Sequence, residues 1–273
     1  MGSAALGSPQ QDIPGGRPSM SHPDASRLAR ERAFHDQLAA DLMPDRMPPQ
    51  DPGALENALL DAAQLRPSMR VLDLGCGSGD LTIPLLDRGA EVTALDISPG
   101  MVHVAEQRVR AFRPRAACRF VTAPAESTAL APGSFDLVLG RYILHHLDLP
   151  LVAAELARLL APAGRAVFLE NSGRNLVLSL ARDHLAGRAG IPRYGTEDER
   201  PLVEADAQAL ARHFGRVRLL YPVFEFLVLF DRQVLRYRYP RVGRVLRKLD
   251  QLVYERAPRL RRFSFRLLVV VEK

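Results

Sequence analysis

The chain has 273 residues, 47% of them hydrophobic and 25% charged, enough for one α/β domain with a sizeable core plus insertions. Its two cysteines, Cys76 and Cys118, exclude a disulfide framework and a four-cysteine metal site, and they fit a reducing, cytoplasmic compartment. The net charge of +6 is uneven: residues 1–173 hold 16 basic and 20 acidic side chains, residues 174–273 hold 21 and 11, so an anionic partner for the C-terminal part is expected.

Residues 1–22, rich in Gly, Ser, Pro and Gln, predict a disordered tail with neither the basic start nor the apolar stretch of a secretory leader. Leu28, Phe34, Leu38 and Leu42 set a sparse helical period over Asp24–Asp41, and a proline-rich linker (Pro44–Pro52) follows. Helices at Gly53–Leu65, Asp80–Asp87, Pro99–Ala111 and Leu151–Leu160 then alternate with strands at Arg70–Leu74, Glu91–Asp96, Cys118–Thr122, Phe135–Leu139 and Arg165–Glu170. Pro162 and Gly164 stand where the last of these helices should stop. This alternation predicts a doubly wound parallel sheet. Residues 172–200 interrupt it with a helix (Leu176–Ala186) and a polar loop from Tyr194. Helix Leu202–Phe214 and strand Val217–Tyr221 resume it. A second insertion, residues 232–262, carries 11 basic and 2 acidic residues, with Val242, Val245, Leu246, Leu249, Leu252 and Val253 at helical spacing. Phe265–Val271 is a final strand. No apolar run reaches the length of a membrane span, so no integral membrane segment is expected, although the basic amphipathic stretch allows peripheral contact.

The richest stretch is Asp73-Leu-Gly75-Cys-Gly77-Ser-Gly79, between the apolar Val71-Leu72 and Leu81-Thr-Ile83. It reads as a strand ending in a glycine turn that opens a helix, where backbone must turn with positive φ or lie close to a ligand. A dinucleotide fingerprint needs a further glycine at 80 or 82; Asp80 and Thr82 stand there, against a nicotinamide or flavin. Asp96 ends the next strand, where a carboxylate suits the two hydroxyl donors of a ribose.

Taken together, VLDLGCGSGDLTIPLLDRGAEVTALDISPGMVHVAEQR and FDLVLGRYILHHL resemble the class I S-adenosylmethionine-dependent methyltransferases, over about residues 53–172. The resemblance implies a Rossmann-like seven-stranded sheet of order 3-2-1-4-5-7-6 with the last strand antiparallel, S-adenosylmethionine as donor, and a lid made by the N-terminal helix around Phe34. It implies that Gly75, Gly77 and Gly79 meet the donor with bare backbone, that Asp73 orients the turn or meets the ammonium, that Asp96 accepts from the ribose and that Ile97 lies on the adenine. Where the family has an acid for the adenine amino group this chain has Pro124, leaving Ala125 backbone and Glu126; Arg141 is also assigned to the donor.

Methyl transfer from a sulfonium needs an aligned nucleophile and, for some acceptors, a proton acceptor. Glu170, after the apolar Ala166–Leu169, is the expected base, with His145 the alternative; Phe34, Tyr142, Asn171 and Arg174 are assigned to the acceptor. Without a carboxylate at ligand spacing, His145-His146 makes a poor metal site, so no metal is expected. Arg241, Arg244 and Arg247, beside the apolar Phe224–Phe230, suggest a clasp for an anionic amphiphile: C- or O-methylation of a small metabolite, a prenyl diphosphate being one candidate. The alternatives are a nucleic-acid methyltransferase, which lacks its Asn/Asp-Pro-Pro-Tyr signature here, and a non-catalytic or membrane-peripheral protein keeping the fold.

Overall fold

In the computed structural model, which describes residues 23–175, 177–178, 180 and 201–273, the strands are β1 (Arg70–Leu74), β2 (Glu91–Asp96), β3 (Cys118–Thr122), β4 (Phe135–Arg141), β5 (Leu160–Asn171), β6 (Arg216–Leu220) and β7 (Arg266–Glu272). They form one sheet in the order β3-β2-β1-β4-β5-β7-β6, as the resemblance implies. The first five pair in parallel, and β7 runs antiparallel between β5 and β6. Strand side chains alternate between faces. Leu72, Leu74, Val138 and Phe168 therefore enter one core, while Val71, Leu137, Leu139 and Val167 enter another on the opposite face. Sheets apolar on both faces must be covered on both. Helices α2 (Ala54–Ala63) and α5 (Leu149–Leu159) do so from opposite sides through Leu59 and Leu156. Helices α3 (Thr82–Asp87) and α4 (Pro99–Phe112) follow β1 and β2.

Three elements depart from the sequence reading. Helix α5 stops at Leu159, about where expected, but the next strand begins at Leu160 and not at Arg165, and Pro162-Ala-Gly164 is a bulge within β5: Leu160 already pairs with Phe135, and the ladder resumes at Arg165 opposite Leu137. Ala163 adopts φ +62°, and a Cβ on Gly164 would lie 2.8 Å from Ala161 O, so the loop is tight enough to need glycine. Helix α6 (Glu204–Ala211) is shorter at both ends than expected. In the basic insertion, helix α8 (Pro240–Arg256) follows the short α7 (Leu227–Phe230) and a π-turn at Asp231–Leu235. It turns Gly243 and Asp250 inward and leaves Val242, Val245, Leu249 and Leu252 exposed. The inward side is set by polar groups: Asp250 accepts from the N–H of Phe226, Leu227 and Val228 (2.9–3.2 Å), and a Cβ on Gly243 would meet Asp231 Oδ2 at 2.2 Å. The tail 1–22 and most of the expected 176–200 helix and loop lie outside the described residues.

Candidate active site

The carboxyl ends of β1, β2 and β4 open into a cavity of about 310 Å³. Parallel strands place such crevices where neighbouring connections leave in opposite directions, here between β1 and β4. Gly75, Gly77 and Gly79 all take positive φ (+70°, +50° and +82°). The N–H groups of Gly75 and Cys76 donate to Leu95 O (2.8 and 2.9 Å), which bends the turn back over β2. A Cβ on Gly75 would strike Ile143 at 2.7 Å, whereas one on Gly77 would meet nothing within 4 Å and point into open space.

Two aspartates flank that turn. Asp96, 7% exposed, accepts from Gly77 N–H through Oδ2 and from Ser98 N–H through Oδ1, both at 2.9 Å. Each carboxylate oxygen keeps a further lone pair for a ligand hydroxyl. Asp73 is buried at the cavity floor and accepts from Thr82 Oγ1 at 2.6 Å. Burial pushes its carboxyl up to about 6, against the lowering effects of the Thr82 hydroxyl and the Arg141 charge. Arg141 lines the same cavity and reaches Glu56 (3.0 Å) and Asp80 (3.4 Å). Ile97, Ala125 and Tyr142 are in the wall, the last with φ +54°.

The remaining wall is α1 (Ala25–Ala40). Asp24 caps it by accepting from Ser26 N–H at 2.9 Å. Asp36 docks it onto α4, accepting from Ser98 Oγ and from Gly100 N–H (3.0 Å) at that helix's positive end. Arg27 donates to Glu126 and to the carbonyl of His146. Glu126 lines the cavity next to Ala125, where it was expected near adenine, and it also accepts from Asp148 N–H at 3.1 Å, so the same carboxylate ties α1 to the start of α5. Phe34, expected to touch the acceptor, does not line the cavity; Glu31, His35 and Leu38 of the same helix do. Their i, i+4, i+7 spacing marked one helix face, but nothing in the sequence said that this face meets the β4 turn.

The expectation of Glu170 as a rim carboxylate available to take a proton is not met. Glu170 is 0% exposed and outside the cavity lining. Its Oε1 accepts from the N–H groups of Ile143 (2.8 Å) and Leu144 (2.7 Å), and its Oε2 lies 2.7 Å from His145 Nδ1. The carboxylate thus staples the turn after β4, and His145, the alternative base, is turned onto it and away from the cavity. Asn171 is held by Arg266, whose guanidinium stacks 4.8 Å from the Tyr142 ring. Arg174 borders a separate small pocket between β7 and α6. Neither Arg241, Arg244 nor Arg247 lines the cavity; Arg247 pairs with Asp231 at 3.7 Å.

Comparison with known proteins agrees with this architecture. A family described as "Methyltransferase domain" matches residues 72–168, which run from β1 to β5. The chain is 40% identical over 117 residues to demethylmenaquinone methyltransferase of Beutenbergia cavernae, covering 42% of this chain and 46% of that protein. It is 34% identical over 111 residues to malonyl-[acyl-carrier protein] O-methyltransferase of Serratia marcescens, covering 40% and 41%. The chain thus spans less than half the length of either. The crystal structure of geranyl diphosphate C-methyltransferase from Streptomyces coelicolor A3(2), with Mg2+, geranyl diphosphate and S-adenosyl-L-homocysteine, superposes with a TM-score of 0.61 at 14% identity, covering 92% of this chain and 99% of that one, a likeness of fold alone. With its strand order, its glycine turn and this match, residues 72–168 carry a methyltransferase domain, in a chain whose fold is that of the class I S-adenosylmethionine-dependent methyltransferases.

Proposed function

We propose that the chain transfers the methyl group of S-adenosylmethionine to a small amphiphilic metabolite. The observation that carries the donor half is the joint placement of Asp96, Asp73, Arg141 and the bare Gly77 in one cavity. In this reading the free lone pairs of Asp96 take the ribose hydroxyls. Asp73 and Arg141 take the ammonium and carboxylate of the methionine end, and Ile97 and Ala125 face the adenine. The donor is already activated, so the chain's task is alignment and exclusion of water, which α1 supplies as the cavity's outer wall.

The acceptor end falls to Tyr142, His35 and His146, with an apolar surround of Leu28, Leu38, Ile143 and Leu147. Such a lining suits a molecule with a long apolar part and a polar reacting end, the class to which a menaquinone precursor or a prenyl diphosphate belongs. The exposed stripe of α8 supports peripheral membrane contact as the route for such an acceptor. Val245, 55% exposed, lies beside Leu249 on a helix that also carries Arg241, Arg244, Arg247 and Lys248. Apolar anchors flanked by arginines bind anionic lipid surfaces. A nucleic-acid acceptor is disfavoured, because none of these cations lines the cavity.

The test is label transfer from methyl-labelled donor to a panel of prenyl diphosphates, quinols, phenols and fatty acids, with and without phosphatidylglycerol vesicles. Transfer to an amphiphile, raised by the vesicles and lowered by Val245→Asp with Leu249→Asp, is expected. Calorimetry showing no donor binding overturns the whole reading; donor binding with transfer only to water-soluble acceptors overturns the amphiphile.

A further inference from the structure

Glu31, His35 and His146 bring one carboxylate oxygen and two imidazole nitrogens within 4.8 Å of one another, and all three residues line the donor cavity. Glu31 Oε2 is 3.1 Å from His146 Nδ1 and 3.7 Å from His35 Nε2. A tetrahedral zinc with bonds of about 2.0–2.2 Å sets its ligand atoms about 3.3–3.6 Å apart, and the two separations straddle that edge. We propose that these three side chains bind a borderline divalent transition metal, Zn2+ first, and that the ion clasps α1 to the turn after β4.

Three features support a metal rather than a loose polar cluster. Glu31 and His35 are four residues apart on one face of α1, the spacing at which helices present two ligands to one ion. His146 arrives from a different element, and its position relative to α1 is fixed independently, because Arg27 of that helix donates to the His146 carbonyl and to Glu126. The adjacent histidines also divide their work: His145 faces Glu170, while His146 faces Glu31. The carboxylate that the His-His pair lacks locally is thus supplied from 115 residues upstream, where no reading of nearby spacing would look for it. Two imidazoles with one carboxylate favour zinc or iron over magnesium or calcium, which take oxygen ligands. Three protein ligands leave a tetrahedral position open, and the cavity is the space beside it.

The site does not depend on the methyl-transfer reading, and its test needs no acceptor. The full chain is stripped with a chelator, gel-filtered and titrated with Zn2+ by calorimetry, with metal content read by mass spectrometry. Co2+ is added in parallel for its visible d–d spectrum. One equivalent per chain is expected, with a Co2+ spectrum of four-coordinate nitrogen/oxygen type lacking a thiolate charge-transfer band, and a melting temperature that rises with free Zn2+. His35→Ala and Glu31→Gln should each weaken binding by about 100-fold or more. His103→Ala, an exposed histidine that does not line the cavity, should keep full stoichiometry. If His146→Ala proves too unstable to purify, His35→Ala, on the half-exposed side of the lid, carries the result alone. Failure of the stripped chain to take up an equivalent of either ion, or retention of wild-type affinity by His35→Ala, overturns the proposal. Donor binding measured on the same samples separates that outcome from a failure of the cofactor reading.

Discussion

Replacing Glu170 with glutamine discriminates between a base and a staple. The carboxylate holds two backbone N–H groups and one imidazole at 2.7–2.8 Å, at 0% exposure. Hydrogen bonds to a charged group contribute about 1.5–3 kcal/mol each against about 0.5–1.5 for neutral pairs, so the two backbone bonds lose about 1 kcal/mol apiece when the acceptor becomes an amide oxygen. The third bond is lost unless His145 changes tautomer, because an amide NH2 then faces the ring N–H, adding about 1–2 kcal/mol. Glu170→Gln should therefore destabilise by about 3–4 kcal/mol, a large share of the roughly 5–15 kcal/mol typical of a domain. Glu170→Ala leaves two buried N–H groups with no acceptor and should fall near the limit of folding, which makes glutamine the informative variant. Urea unfolding should give a lower midpoint at unchanged slope, with donor affinity reduced through the loosened Ile143–His146 turn. A variant within about 0.5 kcal/mol of wild type that has lost turnover but not donor binding would refute the staple and restore the base.

Asp96→Ala should cut donor affinity about 100-fold by calorimetry, since two charge-assisted hydrogen bonds to a ribose are worth about 3 kcal/mol together. Gly77→Ala should fold at a cost of about 1 kcal/mol, because φ +50° disfavours a side chain but the space is open, and should still bind donor poorly. Gly75→Ala should lower the melting temperature more, because its methyl meets Ile143 at 2.7 Å. For Asp73 the folded value of about 6 lies above the ordinary 3.8, so the native state binds the extra proton and stability falls as pH rises from about 4 to 6. The penalty, about 3 kcal/mol at 1.36 per unit, is fully present at pH 7; Asp73→Asn should be more stable there, equal to wild type below pH 4, and weaker for the donor.

The strands, the glycine turn and the two aspartates at strand ends were legible because each is local: an apolar run of five or six residues, a φ > 0 requirement, a carboxylate in the last two residues of a strand. The register Asp73 opposite Ala94, with Asp96 two residues further on, then brings both acids to one rim without further information. What stayed hidden depends on which surfaces meet across long sequence separations. Periodicity marked α8 as amphipathic, but its inward side is chosen by Asp250 capping α7 and by Asp231 seated against Gly243, neither of which an apolar pattern records. Glu170 read as a rim acid because its strand is apolar; that the β4 turn folds back to present two N–H groups to it follows from Tyr142 N–H donating to Leu169 O at 2.8 Å, a contact between segments 27 residues apart. Phe34 was expected at the acceptor and Glu31 was not singled out for the same reason, since the docking of α1, held by Asp36 on the start of α4, turns the face of Glu31, His35 and Leu38 to the cavity.

Several unfavourable features of this chain share one place. A buried acid raised to about 6, a tyrosine at φ +54° and a carboxylate, Glu31, only 5% exposed beside two imidazoles all sit around the carboxyl ends of β1 and β4. The opposite, amino ends of the same strands carry ordinary surface pairs such as Arg70 with Asp136 at 2.6 Å. A fold selected for stability alone would relieve the first set, and Asp73→Asn shows how little change that requires. Such costs persist where a ligand offsets them. A cationic ammonium beside Asp73 would offset the cost of its buried charge and bring its carboxyl back toward the ordinary range, and a divalent ion among Glu31, His35 and His146 would turn a crowded polar cluster into a coordination shell. The two ligands share one cavity, of which α1 forms a wall. Each should tighten the other by ordering that helix, a coupling that comes from conformational entropy of α1 and needs no contact between ligand and ion.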